Sequence, residues 1–326
     1  MTLNRKKVLS GMTEEELISV FAQKTFSTPE ITRGIGDDTA VLRLSDESGK
    51  YVLLTQDSIV SGRHFDVLKD DPYWIGWKAL ARNLSDIAAM AGKPSGAVVA
   101  LGIPGHIESG WLEQVYDGIN ACAQRFSCPV IGGDISSSQE EIFISITVIG
   151  TVSDTGIVYR NGARPGNLIC VTGTLGGSIM GRHLTFLPRI EEVHWFRKKG
   201  VVTALIDVSD GLAKDLFHIA QASNVGFDIE YEKIPVSDDA IRCAGNDPSK
   251  AFAHALHDGE DFELLFTIDM TDETFEHMAS EFEKFFGIPC TCIGKILEDT
   301  SQANVTKNGV FFEKMKIGGF DHFRDS

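Results

Sequence analysis

Hydrophobic positions along this chain follow the two periods that distinguish helices from strands. A capping sequence at 13–16 predicts the start of a first helix. The apolar residues behind it have helical spacing and are Leu17, Ile18, Val20 and Phe21. Helical patterns also cover 71–90, 111–125 and 212–222. Strands are predicted from short apolar or β-branched runs at 51–55, 97–101, 142–152, 168–172, 204–208 and 263–268. Because both halves of the chain mix helices with strands, we expect an α/β (α+β) protein.

Glycine and proline cluster between residues 153 and 166, and residues of this kind favour turns and linkers. This composition predicts a boundary within a chain whose length allows one large or two medium domains. We therefore expect two domains, which are 1–153 and 154–326.

Net charge, cysteine pattern and apolar runs limit the partners and the location that the sequence allows. The chain has 326 residues and a net charge of −16, which argues against nucleic acid or an anionic membrane as partners. Its six cysteines form no Cys-x-x-Cys pair, so reduced thiols are expected rather than a zinc site or disulfide framework. Glutamates 14–16 interrupt the apolar run that a signal peptide needs, and Lys93 and Pro94 break the apolar region 88–103. A cytoplasmic enzyme is the expectation.

An acidic turn at 34–40 is the most informative motif of the chain. Its two glycines permit a tight turn that carries the adjacent carboxylates of Asp37 and Asp38. Further aspartates follow, mostly beside glycine or serine near the ends of predicted elements: Asp57, Asp86, Asp134, Asp207 and Asp210. Mg²⁺ prefers oxygen ligands, and polyphosphate chemistry depends on it. The recurrence therefore indicates a polynuclear Mg²⁺ site.

Each motif also has a simpler interpretation. Asp210, at a predicted strand–helix junction, has the position of a helix N-cap, whereas Ser209 beside it suits a phosphate oxygen. The glycines before Asp134 permit close approach to a phosphate but are also typical of an ordinary turn. Arg160 is as well suited to a structural ion pair as to a phosphate. His64, in a turn, suits a structural hydrogen bond better than catalysis.

Several familiar nucleotide-site motifs are missing from the sequence. There is no phosphate-binding loop of the Gly-x-x-x-x-Gly-Lys-Ser/Thr type, no protein-kinase set and no dinucleotide-binding fingerprint. None of these common nucleotide sites therefore explains the acidic motifs.

In this order, the motifs resemble those of thiamine-monophosphate kinases, which belong to the superfamily of aminoimidazole ribonucleotide synthetase. The matching segments span nearly the whole chain: 34–42, 57–65, 78–94, 131–134, 160–173, 206–216, 259–266 and 319–323. The resemblance implies an N-terminal sheet domain that joins its twin in a homodimer, followed by a C-terminal α/β domain. It also implies transfer of the γ-phosphoryl group of ATP to thiamine monophosphate.

The resemblance assigns roles to individual residues. Aspartates that would hold catalytic Mg²⁺ ions are Asp38, Asp57, Asp86, Asp134 and Asp207, and Asp37 and Asp210 would support or join them. ATP would contact Gly133, Asp134, Arg160, Ser209 and Tyr116. The thiamine substrate would face His64, Glu260 and Phe320.

Some positions depart from the family pattern. Gln56 stands where a small hydroxyl residue is common, Arg63 is an unusual neighbour for His64, and the segment after Gly177 is short. These departures concern the acceptor more than the metal site. Two alternatives therefore stay open, namely a related ATP-dependent ligase or kinase acting on another phosphorylated molecule, and a nucleotide-binding protein without catalysis.

Overall fold

A computed structural model of the protein describes residues 13–43 and 49–319, and confirms a mixed α/β architecture. Its α-helices are α1 (Glu14–Ala22), α2 (Pro72–Ala89), α3 (Ser109–Arg125), α4 (Arg182–Thr185), α5 (Ile190–Lys199), α6 (Leu212–Ser223), α7 (Asp238–Cys243), α8 (Pro248–His257) and α9 (Asp272–Phe286). Its strands are β1 (Ile31–Arg33), β2 (Ala40–Arg43), β3 (Lys50–Val60), β4 (Lys93–Pro104), β5 (Val130–Ser138), β6 (Phe143–Ser153), β7 (Leu168–Thr172), β8 (Val202–Asp207), β9 (Gly226–Glu230), β10 (Leu264–Ile268), β11 (Cys290–Leu297), β12 (Ala303–Lys307) and β13 (Val310–Lys314). Short 3₁₀ helices lie at Asp154–Gly156, Ser178–Met180 and Tyr231–Lys233.

The first sheet has the strand order β1-β2-β3-β6-β4-β5 and is antiparallel except where β4 pairs with β5. Helix α2 packs on one face of this sheet and is buried over most of its length. It begins with Pro72, and the side chain of Asp71 accepts a hydrogen bond from the Tyr73 amide, as expected for a capped helix start. This core helix supplies several side chains of the site.

Glycines bring α2 and α3 into backbone contact. A Cβ atom at Gly76 would lie 1.8 Å from the carbonyl oxygen of Val115, and one at Gly118 would lie 1.8 Å from that of Tyr73. Neither helix can therefore carry a side chain at these points without moving. The contact fixes the spacing between α2 and α3.

The second sheet has the order β13-β12-β9-β11-β7-β10-β8, with β12 and β9 parallel and the other pairs antiparallel. Helices α6 and α8 pack in a core on one side of it. The other core cluster joins α2 of the first half to α9 and β10 of the second. The two sheets are separate, but their hydrophobic core is partly shared.

Helix α5 and strand β5 cover segments that the sequence patterns did not assign. Residues 194–199 belong to helix α5, which has Glu191 and Glu192 in its first turn, basic residues in its last turn and Gly200 as a left-handed C-cap. Residues 132–134, for which an ordinary turn was one interpretation, lie inside strand β5. No helix in the described ranges has the length and apolar character needed to cross a membrane.

Candidate active site

A cleft of about 550 Å³ lies where the two halves of the chain meet. The first half contributes Asp57 from β3 and Arg82 and Asp86 from α2. The second half contributes residues from the loop before α6 and from the loop between α8 and β10. The cleft therefore forms only when residues far apart in sequence fold together.

Three of the predicted aspartates come together beside this cleft, and one of them, Asp86, also lines it. Carboxylate oxygens of Asp38, Asp86 and Asp207 lie within 4.8 Å of one another. They come from the acidic turn, from α2 and from the end of β8. Hydroxyl groups orient two of them: Ser85 Oγ donates to Asp207 Oδ2 over 2.6 Å, and Thr55 donates to Asp86.

Burial and mutual repulsion disfavour ionisation of Asp86 and Asp207. Burial, with the charges of Asp57, Asp207 and Asp38, raises the pKa of Asp86 well above its ordinary value. For Asp207, burial and the charge of Asp38 raise the pKa to about 7. A cation between the carboxylates would relieve both penalties. An all-oxygen carboxylate donor set fits a hard cation such as Mg²⁺.

Two arginines offset the negative charge of the acidic turn. Arg160 binds Asp38 through two hydrogen bonds, of 3.1 Å from Nε and 2.8 Å from Nη2. Arg33 pairs with Asp37 at 2.9 Å, and burial together with Asp38 still raises the pKa of Asp37. Arg160 thus makes the structural ion pair that the sequence left open, and the guanidinium stays within reach of anything bound at Asp38.

Asp57 lies beside the cluster on β3. Its amide donates to Asn83 Oδ1 over 2.9 Å, and its carboxylate accepts a 3.3 Å bond from Arg82 Nε. Its negative charge also contributes to the raised pKa of Asp86. Asp57 therefore interacts electrostatically with the three-aspartate cluster, although it is not one of its members.

His64 and Glu260 face the cleft from opposite halves, and a buried lysine links them. Lys78 Nζ donates to the carbonyl oxygen of His64 and to Glu260 Oε2, over 2.8 Å in each case. Burial opposes ionisation of Glu260, but Lys78 and Arg82 hold its pKa below the ordinary value. The Nδ1 atom of His64 accepts from the Val60 amide over 3.1 Å, so the imidazole has a structural hydrogen bond.

The loop before α6 holds Ser209 and Asp210 at the cleft. The N-cap of α6 is Gly211, so the N-cap interpretation of Asp210 is wrong. The carboxylate of Asp210 instead pairs with Lys214 Nζ at 2.8 Å. Asp215, in the first turn of α6, accepts hydrogen bonds from the amides of Ser209 and Asp210 and fixes the loop.

The loop 259–263 is held by buried charges. Asp261 accepts from the Gly176 amide and pairs with Arg182, while Glu263 pairs with Arg189. Burial, as the largest influence, raises the pKa of Asp261 to about 7. Two of the three carboxylates in this loop are thus structural, and Glu260 is the one at the cleft.

Other predicted residues lie apart from the three-aspartate cluster. Asp134 is exposed on β5, and its pairing with Ala100 places it on the sheet face opposite α2. Gly133 has a packing requirement, since a Cβ atom there would lie 2.1 Å from the carbonyl oxygen of Val99. Tyr116 lies on α3 with 37% of its surface exposed. Phe320 lies outside the described residues.

Several residues at the site were missed in the sequence. Lys78 and Arg82 precede the predicted Asp86 at intervals of four residues, and that spacing on one helix face was a usable signal. Thr55, Ser85 and Asp215 carry no comparable signal, because their partners are set by tertiary contacts.

Known proteins resemble the chain over most of its length. Residues 36–152 match the family described as AIR synthase related protein, N-terminal domain. The thiamine-monophosphate kinase of Rhodopirellula baltica is 35% identical over 314 residues, covering 95% of this chain and 97% of the relative. That of Salmonella typhimurium is 33% identical, covering 90% and 93%.

A solved structure extends the likeness to three dimensions. The structure of AaThiL complexed with AMPPCP and TMP has a TM-score of 0.79 and 32% sequence identity, and the match covers 99% of this chain and 100% of that one. The sequence and structure comparisons both cover most of the chain. The chain belongs to the thiamine-monophosphate kinase family.

Proposed function

We propose that this protein transfers the γ-phosphoryl group of ATP to the phosphate of thiamine monophosphate and so forms thiamine diphosphate. The observation that carries the proposal is the likeness of nearly the whole chain to thiamine-monophosphate kinases. The buried carboxylate cluster beside a cleft of about 550 Å³ supports it, because phosphoryl transfer needs charge compensation in a confined space.

We propose that Mg²⁺ ions occupy the acidic site. Asp38, Asp86 and Asp207 would hold them, with Asp57 beside the cluster. Bound Mg²⁺ would neutralise phosphate charge and favour an in-line arrangement of donor and acceptor. Asp37 and Asp210 would support the ligands, Asp37 from within the acidic turn and Asp210 from the rim of the cleft.

The protein groups would mainly bind and orient the substrates. A phosphate monoester has a second pKa of about 6, so the acceptor oxygen is ionised near neutral pH and needs no strong general base. His64 and Glu260 would therefore bind the acceptor. Arg160 would divide its N–H donors between Asp38 and ATP phosphates, and Ser209 would contact ATP from the loop before α6.

We further propose a homodimer formed through the first sheet. Its face opposite α2 exposes Leu54 and Val98, of which 39% and 38% of the surface is accessible. Asp134 lies on this same face. The proposed roles of Asp134 and Gly133 on β5 toward metal and ATP thus depend on how a second copy covers the face. The proposed ATP contact of Tyr116 belongs to α3, which packs on α2.

A cytoplasmic location is proposed from the six cysteines, none of which forms a disulfide and five of which are buried.

Formation of thiamine diphosphate from ATP, Mg²⁺ and thiamine monophosphate tests the proposal directly. Asp57→Asn should lower turnover at least a hundredfold and leave the fold intact, because the amide removes one charge from the proposed metal site. Gln56→Asn, at the exposed neighbouring position, is the control and should keep most activity. Absence of product with the wild-type protein would refute the assigned reaction, and near-normal turnover of Asp57→Asn would remove Asp57 from the site.

One observation favours a different acceptor as the second candidate. Arg63 lines the cleft next to His64, and it adds a positive charge beside the proposed thiamine position. A screen of phosphorylated small molecules that follows ADP release would identify such an acceptor. ATP binding without turnover on any acceptor would instead indicate a protein that only binds nucleotide.

A further inference from the structure

Arg82 lies on α2 between two carboxylates that belong to opposite halves of the chain. Its Nε atom is 3.3 Å from Asp57 Oδ2, and its Nη1 atom is 3.7 Å from Glu260 Oε1. The guanidinium carbon lies 5.9 Å from the ring centroid of Phe262. Arg82 therefore stands between the proposed metal site and the proposed acceptor site, with its planar group against an aromatic side chain.

The hydrogen-bonding capacity of Arg82 is not used up by these contacts. Within the described part of the chain, its buried Nη1 atom makes no hydrogen bond, although Arg82 lines the cleft. Its one bond to Asp57 is longer than the 2.7–2.9 Å typical of charge-assisted pairs. A buried donor without an acceptor is unfavourable, so an anion in the cleft would find a prepared partner.

Two other cations near this point, Lys78 and Arg160, are engaged differently. Lys78 is fully buried, and its Nζ atom already donates to the His64 carbonyl and to Glu260 over 2.8 Å. Arg160 makes two bonds to Asp38 on the metal side. A guanidinium that is placed between the sites and still has donors to offer matches the forked geometry of a phosphate monoester.

We propose that Arg82 binds the phosphate group of the acceptor and holds it between Asp57 and Glu260. The proposal rests on the proposed function, since it assumes a phosphorylated acceptor. A cation at Asp57 would compete with the Arg82 Nε bond, and the arriving phosphate would replace the carboxylate as its partner. Arg82 would thus determine the preference for a phosphorylated acceptor over the corresponding alcohol.

Isothermal titration of the full chain with thiamine monophosphate and with thiamine tests this assignment, with Mg²⁺ present. Arg82→Met should weaken binding of thiamine monophosphate roughly ten- to a hundredfold and leave thiamine binding nearly unchanged. Arg82→Lys, which keeps the charge but loses the fork, should fall between the two. Arg125→Met on the exposed side of α3 is the matched control and should behave as wild type.

An unchanged ratio of the two dissociation constants in a folded Arg82→Met protein would overturn the proposal. Equal weakening of the binding of both ligands is one such result, since it would show a structural effect on the whole pocket. If Arg82→Met does not fold, a wild-type ratio in Arg82→Lys overturns it.

Inorganic phosphate serves as a separate probe. If the wild-type protein forms no thiamine diphosphate while phosphate binding still depends on Arg82, the proposed reaction fails and the phosphate site stands.

Discussion

Asp207 carries the clearest consequence of burying several carboxylates together. Burial and the neighbouring Asp38 raise its pKa to about 7, although the hydrogen bond from Ser85 acts in the opposite direction. A carboxyl group in this state needs either a proton or a cation near neutral pH. Asp86 is in the same situation: burial raises its pKa, and the negative charge of Asp57 adds to the effect.

A pH-dependent stability difference follows from the raised pKa of Asp207. Its folded-state value, about 7, lies above the ordinary value of 3.8, so its stabilising contribution is present below pH 3.8 and is lost as the pH rises to 7. Asp207→Asn cannot titrate. Without Mg²⁺, we expect the variant to gain on the wild type between pH 5 and 7, by at most about 1.4 kcal/mol per pH unit.

Urea unfolding of both proteins at several pH values measures this difference. Parallel stability curves would show that Asp207 does not titrate in the range. Saturating Mg²⁺ should stabilise the wild type more than the variant at pH 8, because the variant offers one carboxylate fewer.

At the scale of elements, helix α2 connects the two sides of the cleft. Lys78, Arg82 and Asp86 are each one turn apart, so one helix face reaches Glu260 at one point and the aspartate cluster at another. Its position depends on the glycine contacts with α3. The geometry of the site is therefore sensitive to substitutions that touch no substrate.

Gly118→Ala tests this dependence. The added Cβ atom would lie 1.8 Å from the carbonyl oxygen of Tyr73, so the helices must separate, and we expect a loss of about 1–3 kcal/mol of unfolding free energy. Turnover should fall as well, because α2 moves relative to the second half. Denaturant unfolding and a steady-state assay measure the two effects.

Gly110→Ala in the same helix is the matched control, since nothing lies within 4 Å of its Cβ position. Alanine is the better helix former, so this variant should be neutral or more stable by up to about 1 kcal/mol. Equal destabilisation by the two substitutions would contradict the steric explanation.

At the scale of the whole molecule, the first sheet presents one covered and one open face. Its covered face packs on α2, whereas the open face carries Leu54, Val98 and Asp134. A two-fold dimer would place the same patch of both copies in contact. That arrangement would cover the apolar side chains. It would also bring Asp134 next to the second copy, where its proposed metal and ATP contacts could form.

Val98→Arg should disrupt the proposed dimer, because two-fold symmetry brings two buried charges into one interface. Sedimentation should show a monomer, and activity should fall if Asp134 needs the second copy. The control is Val310→Arg on β13, where 68% of the residue is exposed at an edge of the other sheet. A wild-type protein that sediments as a monomer at micromolar concentration would exclude the dimer.

Local signals in the sequence predicted much of the fold but misread some elements. The helix expected at 71–90 is α2, because proline and aspartate define its start and its apolar positions recur with helical spacing. The glycines at 132–133 suggested a turn, yet β5 continues through them. The reason is long-range, since β4 supplies the pairing strand and the bare backbone of Gly133 fits against Val99.

The amino-acid sequence by itself determined which side chains were available: the acidic turn, the order of the aspartate motifs and the resemblance that they carry. Which of them act together was decided by the tertiary structure. Ser85 and Asp207 are 122 residues apart, as are Asp38 and Arg160, and no local pattern specifies such pairs. The raised pKa of Asp207 and the unfilled donor of Arg82 also arise only on folding. Both properties depend on burial and on charges brought in from distant segments, and these exist only in the packed molecule.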